Sequence, residues 1–178
     1  MTRDFLTGSA EARDYLAAVE ARSHHYNGFS LIVGGLDGLS FFSNRGGTIQ
    51  TIAPGVHGLS NHLLNEPWPK VRRGIEGVNA LLAAAAPQLS ARLFAPLADC
   101  TPAPDALLPA TGIALERERI VSAAFIASEA YGTRASTVVL VSAAGEVMFC
   151  ERSYGPRGAP AGVSEQRFRL ERGPYSSS

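Results

Sequence analysis

"HGLSNHLLNEPWPK" (residues 57–70) separates a strand-rich part of this chain from a helical part, and its reading decides the fold. It carries two His, two Asn, a Ser and the only Trp of the sequence. Its apolar residues follow neither the alternation of a strand nor the period of a helix. Beyond Pro67 the period becomes helical: Val71, Ile75, Val78, Leu82 and Ala85 fall on one stripe, and Pro87 closes it. Pro67 and Pro69 suit the first turn of that helix, where a missing amide hydrogen does no harm. The stretch is therefore a turn from strand into helix, and the open question is whether it also does chemistry.

Upstream, residues 10–26 place Ala12, Tyr15, Leu16, Val19 and Tyr26 at helical spacing, with Ser9 as N-cap and Asn27-Gly28 as stop. "FSLIVGGLDGLSFFSN" (residues 29–44) then gives two apolar runs around Asp37-Gly38, a hairpin signal. A further strand pair is expected across Arg45 to Gly47, ending in "GVHGLSN" with Asn61 at a strand end. Downstream of the helix, residues 90–97 read as a second helix ending before the proline-rich loop "CTPAPD". "RIVSAAFI", "STVVLVSA", "EVMFCERSY" and "SEQRFRLER" read as strands, the second and third joined by "AAGE". The tail "GPYSSS" is expected to be disordered. Helices between two antiparallel strand groups give an α+β class, expected as a single domain over residues 1–172.

Composition narrows the function classes. The apolar fraction of 46% is ordinary for a globular domain, and sixteen basic residues balance sixteen acidic ones. No charge excess points to nucleic acid or an anionic membrane. The apolar run of residues 80–86 is far shorter than the roughly 20 residues that span a bilayer. Cys100 and Cys150 are too few and too far apart for a disulfide framework or a zinc site, so a reduced cytoplasmic protein is expected.

The polar cluster offers limited chemistry by itself. His57 and His62 have no third ligand at a metal-like spacing, so no metal is expected. Ser60 lacks the Gly-x-Ser-x-Gly setting of a nucleophile elbow. "GGLDG" leads into a strand and not a helix, so it is no phosphate loop. Asn61 stands out: a strand-end amide can donate to a developing oxyanion, although capping a turn would explain it as well.

Five segments in order carry a resemblance: "YNGFSLIVG" (residues 26–34), "SNRGG" (43–47), "HGLSNHLLNEPWPKVRRG" (57–74), "YGTRASTVVLV" (131–141) and "FCERSYGPRG" (149–158). Together they resemble the NRDE family, also called the Transport and Golgi organization family. The resemblance implies an N-terminal-nucleophile-hydrolase-like, layered α-β-β-α architecture with antiparallel sheets. In such enzymes an N-terminal Cys attacks an amide and its own α-amine serves as base. The Met-Cys start and Asn-Arg-Asp-Glu motif of the family are not in this sequence, so the resemblance covers its central and C-terminal portion. Thr2, which methionine removal would expose, falls where the family has an interior helix.

By this resemblance Asn61 in "GLSN" is the oxyanion donor and Arg134 in "GTRAS" the distal cation, both auxiliary catalytic roles. Arg134 could equally be an ordinary strand-end ion pair. Asn44, Arg45 and Trp68 are the candidate substrate-binding residues, although a tight turn and a helix start would also account for them. Neither Cys100 nor Cys150 can present an α-amine, so the chain as it stands is expected to lack the nucleophile and to be inactive alone. Two functions remain open: hydrolysis of non-peptide C–N bonds in a small amide substrate, or non-catalytic binding and trafficking of a hydrophobic small molecule such as haem or an acyl-lipid metabolite. No cofactor, nucleic acid or membrane insertion is implied; self-association through unpaired sheet edges is expected.

Overall fold

The computed structural model describes residues 1–84, 88–109 and 111–170. They form helices and two three-stranded antiparallel sheets, so the α+β class holds. The chain divides into two compact units, Met1–Glu66 and Pro67–Ser178.

In the first unit, helices α1 (Thr2–Thr7) and α2 (Ala12–Ala21) precede strands β1 (Ser30–Gly35), β2 (Gly38–Ser43) and β3 (Gln50–Ile52). The hairpin forms where the sequence implies, but its two-residue turn is Leu36-Asp37, one position earlier than Asp37-Gly38, because Gly38 already pairs with Gly35 as the first residue of β2. Strand period 2 puts Leu31, Val33 and Phe42 on one face, where Tyr15, Leu16 and Val19 of α2 close the core. Leu16 and Val19 have no exposed surface.

Two boundaries differ from expectation. Helix α2 begins at Ala12 with Glu11, not Ser9, before it, because α1 ends only at Gly8 and leaves Ser9 in the link. It ends before Tyr26, since the chain tightens into a 3₁₀ turn at Ser23–His25. The larger correction concerns the opening stretch. The strand pairing stops at Ile52, and residues 53–68 are irregular, so Asn61 is not at a strand end. Local side-chain hydrogen bonds take the place of sheet pairing there.

In the second unit, helix α3 (Pro69–Ala83) starts as the prolines imply, with Trp68 at its N-cap. Its expected closing residues 85–87 lie outside the described residues. Two short helices follow, α4 (Leu89–Arg92) and α5 (Phe94–Leu97), where one helix was expected. Strands β4 (Ala135–Val141), β5 (Glu146–Tyr154) and β6 (Pro160–Arg169) form the second sheet, with β6 starting four residues earlier than its sequence pattern suggests. The tail at 173–178 lies outside the described residues.

"RIVSAAFI" is not a strand: Arg119 to Val121 end helix α6 (Leu115–Val121). Polar contacts accompany this helical end. Buried Glu118 accepts hydrogen bonds from the Thr111 amide and hydroxyl, both at 2.6 Å. Arg119 reaches back to Asp105 (Nε···Oδ1 2.8 Å) and also pairs with Glu116 one turn earlier. Among the described residues, no helix is long and apolar enough to cross a membrane.

Candidate functional site

The loop after β3 is closed by one asparagine, and it is not Asn61. Asn65 sits in the left-handed region at φ 61°, which Asn tolerates better than most residues. Its amide N–H donates to the Gly58 carbonyl at 2.7 Å, and its Oδ1 accepts from the Gly58 N–H at 3.0 Å. Its Nδ2 lies 2.9 Å from His57 Nδ1, while His57 Nε2 lies 2.8 Å from the Ala53 carbonyl. A carbonyl can only accept, so Nε2 carries the ring proton and Nδ1 accepts from Asn65. Both nitrogens of His57 are thus committed to holding the loop.

Residues 59–64 lie between the two sides of this clasp. Asn61 is exposed there, and its side chain makes no hydrogen bond among the described residues. The alternative of a turn-capping Asn61 therefore does not describe it; Asn65 fills that role. Next to it, His62 Nδ1 lies 3.2 Å from Glu66 Oε2. Sequence reasoning weighed His57 as a metal ligand and passed over Asn65. Nothing in the residue types marks an Asn eight positions after a His as its partner.

The other candidates divide between the units. Asn44 follows β2, and its side chain is fully engaged with backbone. Oδ1 accepts from the Phe29 N–H at 2.8 Å, and Nδ2 faces the carbonyls of Ser23 (3.2 Å), Tyr26 (3.3 Å) and Asn27 (3.2 Å). This clamp sets the chain path between α2 and β1. Arg45 lays its guanidinium over Gly28 so closely that a Cβ there would stand 1.8 Å from Nε. Glycine at 28 is thus what lets Arg45 lie flat on the backbone.

In the second unit, Arg134 leads into β4 after a tight turn. Thr133 N–H donates to the Ile126 carbonyl at 2.9 Å, and a Cβ on Gly132 would come within 2.9 Å of the same oxygen. The Arg134 carbonyl accepts from the Tyr154 N–H at 2.8 Å, fixing its backbone to β5. Its side chain is exposed and forms no ion pair among the described residues, so the strand-end ion pair is not present. Trp68 carries the Lys70 ammonium 5.7 Å from its ring centre, and Lys70 Nζ donates to the Val121 carbonyl at 2.9 Å. Burial holds the Lys70 pKa below the ordinary lysine value.

Among the described residues, no three His, Cys, Asp or Glu side chains gather to hold a metal. Cys100 is exposed and Cys150 half-buried in β5, and both thiols are free. What the chain offers is an exposed amide donor on a clasped loop and an exposed guanidinium beside a fixed strand start. Oxyanion or carboxylate recognition is the chemistry such groups perform.

The comparisons with known proteins cover most of the chain. The profile of the family described as Transport and Golgi organisation 2 matches residues 1–156. The Transport and Golgi organization protein 2 homolog of Bos taurus is 37% identical over 166 residues, covering 86% of this chain and 60% of that protein. The corresponding homolog of Homo sapiens is 33% identical over 162 residues, covering 84% of this chain and 59% of that protein. The chain thus spans about three fifths of the length of these relatives. By the extent of both matches, this chain belongs to the Transport and Golgi organisation 2 family.

Proposed function

We propose that this chain contributes the auxiliary half of an amide-hydrolysing site of the N-terminal-nucleophile type, within a layered α-β-β-α domain. The observation that carries the reading is the clasped loop: Asn65 and His57 are committed to its shape, while Asn61 is left with an unused amide. An exposed amide without protein partners is available to donate to charge that develops on a substrate oxygen. In this reading Asn61 Nδ2 donates to the tetrahedral oxyanion, and Arg134, in the second unit, is by itself a candidate to bind a carboxylate. The nucleophile and its base would come from an N-terminal Cys outside this sequence. It would add to the amide carbonyl, release the amine with a proton, and yield the acid when water opens the thioester.

The test uses the longest protein that the gene encodes, assayed by mass spectrometry against N-acyl amides and N-acyl amino acids. Asn61→Ala is expected to lower kcat by about 10²–10³ with little change in KM. Arg134→Ala should raise KM for carboxylate-bearing substrates more than for neutral ones. An undiminished kcat in Asn61→Ala would sink the oxyanion role. No turnover by the wild-type protein would remove the hydrolase reading altogether.

A second reading, binding of a hydrophobic small molecule, has one observation in its favour. Val139, Val141 and Phe168 form an exposed apolar row across the second sheet, at 50%, 45% and 51% exposure. Quenching of Trp68 fluorescence by a fatty-acyl ligand or haem, retained in Asn61→Ala, would support binding without chemistry.

A further inference from the structure

We propose that the free edge of β6 docks a second copy of this chain in one defined antiparallel register. All ten residues of Pro160–Arg169 are exposed, and β6 is the outer strand of the order β4-β5-β6. Among the described residues, the outer edge of this strand has no strand paired to it, and so presents a row of unpaired backbone groups.

The direction of those groups follows from one bond. In an antiparallel pair, alternate residues turn both N–H and C=O towards the neighbouring strand, and the residues between turn both away. Leu170 N–H donates to the Gly145 carbonyl at 2.8 Å, and this continues the register in which Glu146 faces Arg169. Leu170, Phe168, Gln166, Ser164 and Gly162 therefore bond to β5. Val163, Glu165, Arg167 and Arg169 turn their backbone groups to the free edge.

Charge then selects among the twofold registers. An axis through Glu165 sets Glu against Glu, and one through Arg167 sets Arg against Arg; directly opposed like charges are destabilising. An axis through Ser164 carries Arg169 beyond Pro160 into the bulge at Ser153/Tyr154, where pairing is irregular. An axis through Gln166 sets Glu165 opposite Arg167 of the second copy, twice by symmetry, and Val163 opposite Arg169. All four of these residues have outward backbone groups, so the same register satisfies hydrogen bonds and charge together. Arg167 Nε already meets Glu165 Oε1 along the strand at 2.8 Å, with both side chains exposed and open to exchange partners. Edge charges ordinarily discourage strand addition; here their alternation makes the edge complementary to itself.

The experiment is light scattering during size-exclusion chromatography of the full chain over a concentration series. The expected species at high concentration has twice the 18.8 kDa monomer mass. Glu165→Arg opposes Arg to Arg and should raise the dissociation midpoint by about tenfold or more. Adding Arg167→Glu restores the opposition of unlike charges and should restore the dimer. Val163→Pro removes an outward N–H at no cost to the β5 pairing, and is expected to be monomeric with an unchanged circular dichroism spectrum. A wild type that stays monomeric at every concentration overturns the proposal. So does a dimer indifferent to Glu165→Arg, or a double variant no better than the single one. Because the charge variants lie on exposed side chains, they keep the test valid if Val163→Pro fails to fold.

Discussion

The two sheets have the same number of strands and the same antiparallel pairing but are held in different ways. The first packs one face against α2, so Leu16 and Val19 lose all contact with solvent, and Asn44 pins the chain that enters it. The second buries Val138 and Phe94 on its inner side, with the Arg152 guanidinium 4.0 Å over the Phe94 ring, yet leaves β6 exposed throughout. Burial of apolar surface dominates the free energy of folding. The first sheet is therefore stabilised by side-chain packing, and the outer strand of the second mainly by its backbone ladder. A strand of that kind has surface and hydrogen bonds to offer a partner.

The largest expected effect breaks the comparison directly. Leu16→Ala should cost about 2–5 kcal/mol in urea unfolding, through lost transfer energy and a cavity beneath α2. Phe168→Ala, a larger truncation on the second sheet, should cost less, about 1 kcal/mol, because Phe168 is half exposed and meets buried Val147 only across the strand pair. Equal losses would show that the second sheet has a packed outer face after all.

Next comes the clamp. Asn44→Ala removes the acceptor of the Phe29 N–H and the amide donor that faces the Ser23, Tyr26 and Asn27 carbonyls, and should cost about 1–2 kcal/mol. Amide exchange should quicken at Phe29 in particular. Unchanged exchange there would assign Asn44 to another task, ligand contact included.

The smallest effect sharpens the contrast in the second unit. Asp99 binds Arg73 Nε at 2.7 Å and accepts from the Thr101 N–H at 2.8 Å. Partial burial works to raise the Asp99 pKa, but the hydrogen bonds of Thr101 and Arg73 and the Arg73 charge outweigh it and hold the pKa below its ordinary 3.8. A carboxyl whose pKa falls on folding contributes stability above the unfolded value, and that stability is lost as pH drops through the folded value. Stability should therefore decline below about pH 4, by roughly 1 kcal/mol or less for this partly exposed pair. Asp99→Asn should flatten that part of the urea-midpoint profile; an identical slope would exclude the pair as its source.

The sequence by itself determined what rests on local order. Alternating apolar runs around Asp37 and "AAGE" produced both hairpins, and Pro67 and Pro69 marked the start of α3 at Trp68. Turn chemistry and period 2 or 3.6 act within a few residues, so they survive into the fold. Five ordered segments also sufficed for the family. Contacts between distant residues were decided only by tertiary structure. "RIVSAAFI" has strand composition, but its first residues end a helix in which Glu118 bonds Thr111 and Arg119 bonds Asp105. "GVHGLSN" (residues 55–61) reads as the end of a strand at Asn61, but the bonds of His57 and Asn65 to Ala53 and Gly58 replace sheet pairing. No residue type announces which of three asparagines will be consumed by backbone. Asn44 and Asn65 are, and Asn61 is not, because a hydrogen-bond partner is set by position in space and not by sequence alone.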